Sequence, residues 1–203
     1  TLSFYRRLRD EMEPGAPLWL TETAEAACGG NPWAASFIDT FRYLDQLGRL
    51  ARQGVQVVMH NTLAASDYGL LDEASLEPRP SYFGALLWRR LMGGSVLDPG
   101  IPLQKGLHVY AHSLRGRPGG VALLVMNHDR LAPRALSLPV PGERYTLDGP
   151  LQGGKVKLNG VELALGPGDA LPKLSGSPTL AGAVTFAPAT ISFLALPEAR
   201  NGG

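Results

Sequence analysis

The sequence predicts an α/β segment followed by an all-β one, and three observations carry that expectation. Up to residue 94, short apolar runs alternate with helically spaced ones. From residue 95 onward no helical spacing persists, and short strand-like runs follow one another between Gly and Pro. Asn159-Gly160 stands between two alternating runs, a strong signal for a two-residue hairpin. The first pattern is that of a parallel sheet wrapped by helices, and the second is that of an antiparallel sandwich. The expected division is therefore 1–94 and 95–203.

The elements follow in order. Residues 4–13 read as an amphipathic helix ended by Pro14-Gly15, and the chain reads as entered partway along it. "PLWLTE" is a strand. Asn31-Pro32 supplies an N-cap with proline at the first helical position. Phe37, Phe41, Leu44, Leu47 and Ala51 then recur at helical spacing, and Gly54 stands where a C-cap glycine belongs. "VQVVMHN" (55–61) is apolar nearly throughout, as expected of a strand covered on both faces. After the Asp67-Tyr68-Gly69 loop, Pro80-Ser81 opens a helix that Gly93-Gly94 closes. The second part offers "LHVYAHSL", "VALLVMNH", "RALSLPV", "RYTLDG", "KVKL-NG-VELAL" and "ISFLAL" as strands.

Two strands and two helices do not bury a parallel sheet on both faces, and a full eight-stranded barrel takes ~250 residues. The first part is either a small mixed domain or the C-terminal portion of a larger barrel, and the mid-helix start favours the second.

Composition narrows the function classes. The chain has 203 residues, 44% of them hydrophobic, with a formal net charge of +1. That gives no electrostatic case for nucleic acid or an anionic membrane, and no apolar run reaches the ~20 residues that span a bilayer. Cys28 is the single cysteine, so no intrachain disulfide forms. This fits a reducing compartment or a fold that needs no staples.

In a barrel of parallel strands, functional groups gather at the C-terminal strand ends. Glu22 ends the first strand, His60 and Asn61 end the second, and Tyr68 lies in the loop beyond. A carboxylate there suits the nucleophile of a glycosidase, which stabilises an oxocarbenium-like transition state with paired carboxyl groups. On spacing alone, a glutamate after a strand is more often a solvated or capping group. Glu25 reads as a surface residue. His108 and His112 share a strand face, but without a Cys or carboxylate cluster they do not read as a metal site, and none is expected. Cys28 reads as a small space-filler in the turn, not a nucleophile.

"WLTETAEAACGG", "FRYLDQLGRLARQGVQVVMHNTLAASDYGLLDE" and "PRPSYFGALLWRRLMG" together resemble glycoside hydrolase family 79, the heparanase-like enzymes, in register from about Trp19 to Met92. The likeness continues more weakly at "LHVYAHS" and "KVKLNGVELAL". It implies the last two βα units of a (β/α)8 TIM barrel followed by an antiparallel β-sandwich. It also implies a retaining β-glucuronidase with Glu22 as nucleophile, and Tyr68, Gly29 and Gly30 reading the sugar carboxylate. Asn61 and His60 would line the same mouth. The family's acid/base glutamate sits in an Asn-Glu pair, which this sequence lacks. The resemblance therefore implies an N-terminal chain or segment that completes the barrel and supplies that glutamate. No metal or organic cofactor is implied.

Vertebrate heparanase has glycine where Cys28 stands and glutamine where Asn61 stands. It also has a cysteine where Ser113 stands, and these departures point to a bacterial-type member. The expected substrate is a glucuronic-acid-containing oligo- or polysaccharide, with endo cleavage of heparan sulfate-type chains ahead of exo release of terminal glucuronate. A non-catalytic carbohydrate-binding or scaffold fragment is the competing reading. Arg79, Arg89 and Arg90 are the cations available to an endo cleft, and their place near the last helix reads as solvated.

Overall fold

The computed structural model describes residues 1–201. The first part runs α1 (Leu2–Met12), β1 (Leu18–Thr23), a 3-10 turn (Pro32–Ala35), α2 (Phe37–Arg52), β2 (Val55–His60) and α3 (Pro80–Leu91). β1 and β2 pair in parallel, Leu18 opposite Val55 and Thr23 opposite His60. The expected N-cap is present: Asn31 Oδ1 accepts from Trp33 N at 2.9 Å. It caps only the 3-10 turn, because Ser36 is extended and α2 starts afresh at Phe37. The first two backbone N–H groups of α2 find partners outside their own loop. Phe37 N donates to Gly153 O at 2.9 Å and Ile38 N to Leu151 O at 2.8 Å. Gly54 follows α2 with φ of 78°, a left-handed turn that glycine enters without steric cost.

All-β structure begins earlier than residue 95. The chain passes directly from α3 into β3 (Met92–Leu97), so Gly93-Gly94 continue as strand. Gly93 is needed there for close approach, since a Cβ would lie 2.3 Å from Ser113 Oγ and 2.5 Å from Ser113 O. β4 (Leu107–Leu114), β5 (Val121–Asn127), β6 (Arg134–Leu138), β7 (Gly142–Asp148), β8 (Lys157–Leu158), β9 (Val161–Glu162), β10 (Ser177–Thr179), β11 (Gly182–Phe186) and β12 (Thr190–Leu196) follow. An eight-stranded antiparallel sheet has the order β3-β4-β5-β12-β7-β8-β9, with β10 added to β7, and β6 pairs with β11 separately. The Asn159-Gly160 turn joins β8 to β9 with both φ angles positive, as the hairpin signal requires, but the ladder is only two residues a side.

The period-2 alternation of the large sheet builds two cores. Tyr110, Leu124, Met126, Leu147, Ile191 and Phe193 face α2 and α3, meeting Phe37, Phe41, Leu44, Phe83 and Leu87. Val109, Val125, Leu194 and Leu196 face the other way onto Leu138, Val184 and Phe186 of the small sheet. One face of the sheet is thus covered by helices and the other by strands.

The parallel pair differs from expectation. Only Val55 of β1 and β2 is buried, and Trp19 and Met59 are exposed. α1 buries none of its residues, leaving Phe4, Tyr5, Leu8 and Met12 in solvent. An open groove of about 830 Å³ runs between α1 and β1 and ends at Glu22. Among the described residues, no helix is long and apolar enough to cross a membrane.

Candidate active site

The parallel ladder sets the site. Pairing Thr23 with His60 puts Glu22 and Asn61 at one end of the two strands, and Asn61 N extends the ladder by donating to Thr23 O at 2.8 Å. The Asn61 side chain then donates from Nδ2 to Glu22 Oε1 at 2.9 Å. Thr23 is held from below by α2, with Gln46 Nε2 donating to Thr23 Oγ1 at 2.8 Å. A short chain of polar groups, Gln46 to Arg42 to the buried Asp39, continues along the helix. Glu22 itself is exposed, a carboxylate fixed by one amide at an open strand end.

His60 carries the next loop. Its Nε2 lies 2.7 Å from Tyr68 O. A carbonyl only accepts, so Nε2 bears the proton. Burial lowers the pKa of His60, which keeps the ring neutral, and its Nδ1 is buried without a partner. Tyr43 packs edge-on against the ring at 5.0 Å. Tyr68 is thereby brought to the glycine turn. Asp67 N donates to Gly29 O at 3.0 Å, tying the two loops together. Gly30 has φ of 82°, and a Cβ there would lie 2.9 Å from Tyr68 Cδ1, so backbone geometry and ring contact both require glycine.

Of the six residues singled out in sequence, the structure joins Asn61 to Glu22, and separately joins Tyr68 to Gly30 by ring contact and to His60 through its carbonyl, with Gly29 tied to the same loop at Asp67. Three others behave differently from expectation. Cys28 does not fill space: it is exposed, at φ of 57° in the same turn. Glu25 is half-buried, accepts from Asn31 Nδ2 at 2.8 Å through Oε1, and leaves Oε2 buried and unpartnered. Arg79 is not solvated. Its Nη1 donates to the carbonyls of Ser66 at 2.7 Å and Asp67 at 2.6 Å, so it holds the Tyr68 loop from beneath. Arg89 and Arg90 are exposed as expected. The role of Arg79 was hidden because its partners are backbone carbonyls, which carry no sequence signal.

His108 does not act with His112. His112 Nδ1 lies 2.9 Å from Gly93 O. His108 meets Asp45 of α2 at 2.7 Å and stacks near His128, with ring centroids 4.3 Å apart. The carboxylate missing beside His108 in sequence is supplied across the fold, 63 residues away.

Comparison with known proteins places these features. No protein-family model matches the chain. Baicalin-β-D-glucuronidase of Scutellaria baicalensis is 35% identical over 187 residues, covering 86% of this chain and 35% of that protein. Mouse heparanase is 34% identical over 200 residues, covering 90% and 37%. Heparanase-like protein 1 of Arabidopsis thaliana is 44% identical over 118 residues, covering 58% and 22%. The mouse protein named inactive heparanase-2 also matches, at 28% identity over 212 residues. Among solved structures, the family 44 endoglucanase Cel44A of Clostridium thermocellum superposes with a TM-score of 0.65 at 12% identity, covering 96% of this chain and 35% of that one. The family 51 α-L-arabinofuranosidase of Thermotoga petrophila gives 0.65 at 14%, covering 96% and 47%. These two share the mixed helix-and-sheet fold. The chain spans less than two fifths of the length of each sequence relative named here, and over most of its own length it is similar in sequence to heparanase and to plant β-glucuronidase.

Proposed function

We propose that this chain is the C-terminal part of a retaining glycosidase that cleaves β-linked glucuronic acid. In this reading residues 1–94 are the last two βα units of a (β/α)8 barrel and 95–203 its β-sandwich. The observation that carries it is the Asn61 amide fixed on Glu22 Oε1, beside the Tyr68–Gly30 contact. With Oε1 held, Oε2 is the atom left to attack the anomeric carbon, forming a glycosyl ester as the leaving oxygen takes a proton. Water then cleaves the ester, activated by the same partner carboxyl, ~5–5.5 Å from Glu22. The Tyr68 hydroxyl and the backbone N–H of Gly29 bind the uronate as neutral donors, without adding a cation beside the nucleophile; the N–H of Gly30, which donates to Ala27 O at 3.4 Å, must turn from that carbonyl to join them.

The proton donor comes from an N-terminal chain or segment. The exposed Trp19, Met59, Tyr5 and Leu8 and the groove that ends at Glu22 support this, because they form an apolar face of the kind that neighbouring barrel strands cover. The substrate is a glucuronic-acid-containing polysaccharide of the heparan sulfate type, cut internally. Exo release of terminal glucuronate is the alternative within the same chemistry.

Glu22→Gln in the assembled enzyme is expected to lower turnover of an aryl β-glucuronide by about 10⁵–10⁶-fold, the scale on which a covalent nucleophile acts. A 2-fluoro glucuronide inhibitor should label the peptide that contains Glu22. Normal turnover in the variant, or an adduct on another residue, overturns the assignment. Inactivity of the folded wild-type assembly toward every glucuronide would favour a non-catalytic carbohydrate-binding role. Product sizes from heparan sulfate distinguish endo from exo action.

A further inference from the structure

A second cluster of reactive groups lies outside the residues assigned to sugar chemistry. Asp45 on α2, His108 on β4 and His128 just after β5 each offer one donor atom, a carboxylate oxygen or a ring nitrogen, and these atoms all lie within 4.8 Å of one another. We propose that Asp45, His108 and His128 form a binding site for one zinc-class divalent cation, seated between helix α2 and the large sheet.

Four observations support it. First, the carboxylate is positioned. Arg49 Nε donates to Asp45 Oδ2 at 2.6 Å, while Oδ1 accepts from the Tyr110 hydroxyl and lies 2.7 Å from His108 Nδ1. These three hydrogen bonds fix the carboxylate between α2 and β4. Second, His128 is an unfinished group. Its Nε2 is buried with no hydrogen-bond partner, a state that native interiors rarely tolerate without a use. Third, the hydrogen-bond network explains His108 but not His128, whereas a cation engages both. Fourth, a small cavity of about 120 Å³, lined by His128, Phe41, Ile38 and Arg130, opens beside the cluster. It has room for a water as a fourth ligand.

Two imidazoles and one carboxylate suit Zn²⁺ better than Mg²⁺ or Ca²⁺, which take all-oxygen shells. Zinc bonds of ~2.0–2.2 Å require donors ~3.3 Å apart, so the rings close on the ion and Asp45 Oδ1 and His108 Nδ1 part slightly. The proton between those two atoms is released to solvent as the ion enters. Arg49 and Tyr110 stay on the carboxylate and orient it, as outer-shell partners do.

The test uses the full chain, stripped with a chelator. Co²⁺ is added alone and the visible d–d bands of a low-coordinate ion are recorded; Zn²⁺ competition then gives the affinity. One equivalent of Co²⁺ should produce intense bands. His128→Gln and His108→Gln should each abolish them and weaken Zn²⁺ binding by at least about 100-fold, while Glu22→Gln leaves both unchanged. Circular dichroism and the metal-free Tm of each variant establish that it is folded. Zn²⁺ should raise the Tm of the wild type with rising concentration and leave that of His128→Gln unmoved. Absence of bands in the folded wild type, or equal affinity in wild type and a folded His128→Gln, overturns the proposal.

Discussion

The antiparallel sheet and the parallel strand pair are built from similar residues and end in opposite conditions. β12 is buried at all seven positions, Thr190 to Leu196, with helices on one side and β6–β11 on the other. β1 has no buried position, and its Trp19 is 56% exposed. The first half of β1, Leu18-Trp19-Leu20, is as apolar as β12, so hydrophobicity alone does not explain the exposure of Trp19; what covers the strand does. The candidate chemistry sits on the uncovered pair. The closed part supplies the rigidity, through α2, on which Thr23 and the strand ends rest.

This contrast can be broken or sharpened by substitution. Phe193→Ala, in the middle of the closed core, should cost about 3–5 kcal/mol of stability in denaturant unfolding. Trp19→Ala should change the stability of this chain by no more than about 0.5 kcal/mol. A large loss at Trp19 would mean that β1 is covered after all. Gly48→Ala comes next. A Cβ there would fall 2.4–2.6 Å from three ring carbons of Tyr110, so the helix–sheet seam must open, at about 1–3 kcal/mol. Asn61→Ala removes the one side-chain hydrogen bond to Glu22 among the described residues. If the proposed function holds, it should lower turnover of an aryl β-glucuronide by the assembled protein about 10- to 100-fold, the worth of a hydrogen bond to a charged group, with little change in Tm.

The smallest effect is on pH dependence. Burial lowers the pKa of His112, whose ring packs edge-on against Trp88 at 5.2 Å. The unfolded chain then binds the proton first. Stability is fully present above the ordinary value of about 6.5 and declines as pH falls below it toward the lowered folded value. In unfolding curves across that range, His112→Gln should flatten the decline.

Much of this fold was legible in sequence where periodicity and turn chemistry agreed. α2, α3, β1, β2 and the strands β4, β5, β7 and β12 lie close to their apolar patterns. β3 was missed because Gly93 and Gly94 read as a helix stop, whereas the close approach of Ser113 is what selects Gly93. β10, Ser-Pro-Thr, is too short and polar to read, whereas β11, Gly-Ala-Val-Thr-Phe, carries a short apolar pattern and was missed. At the strand ends, Glu22 and Asn61 were found from placement alone. Asp45 was not found as a partner of His108, since no local spacing reports a contact across 63 residues. Arg79 escaped for the reason its partners give: peptide oxygens leave no trace in a sequence.

The two hydrogen bonds that Gly153 and Leu151 accept from the start of α2 have an effect on the loop that precedes the helix. Most helices rely on the residues just upstream to satisfy their opening amides. Here a distant segment takes two of those amides, and the upstream loop takes one, Asp39 N donating to Ser36 O at 3.1 Å. The exposed positions of that loop, such as Ala26 and Ala27, can therefore vary without disturbing the start of the helix, while Gly30 stays fixed by the Tyr68 ring.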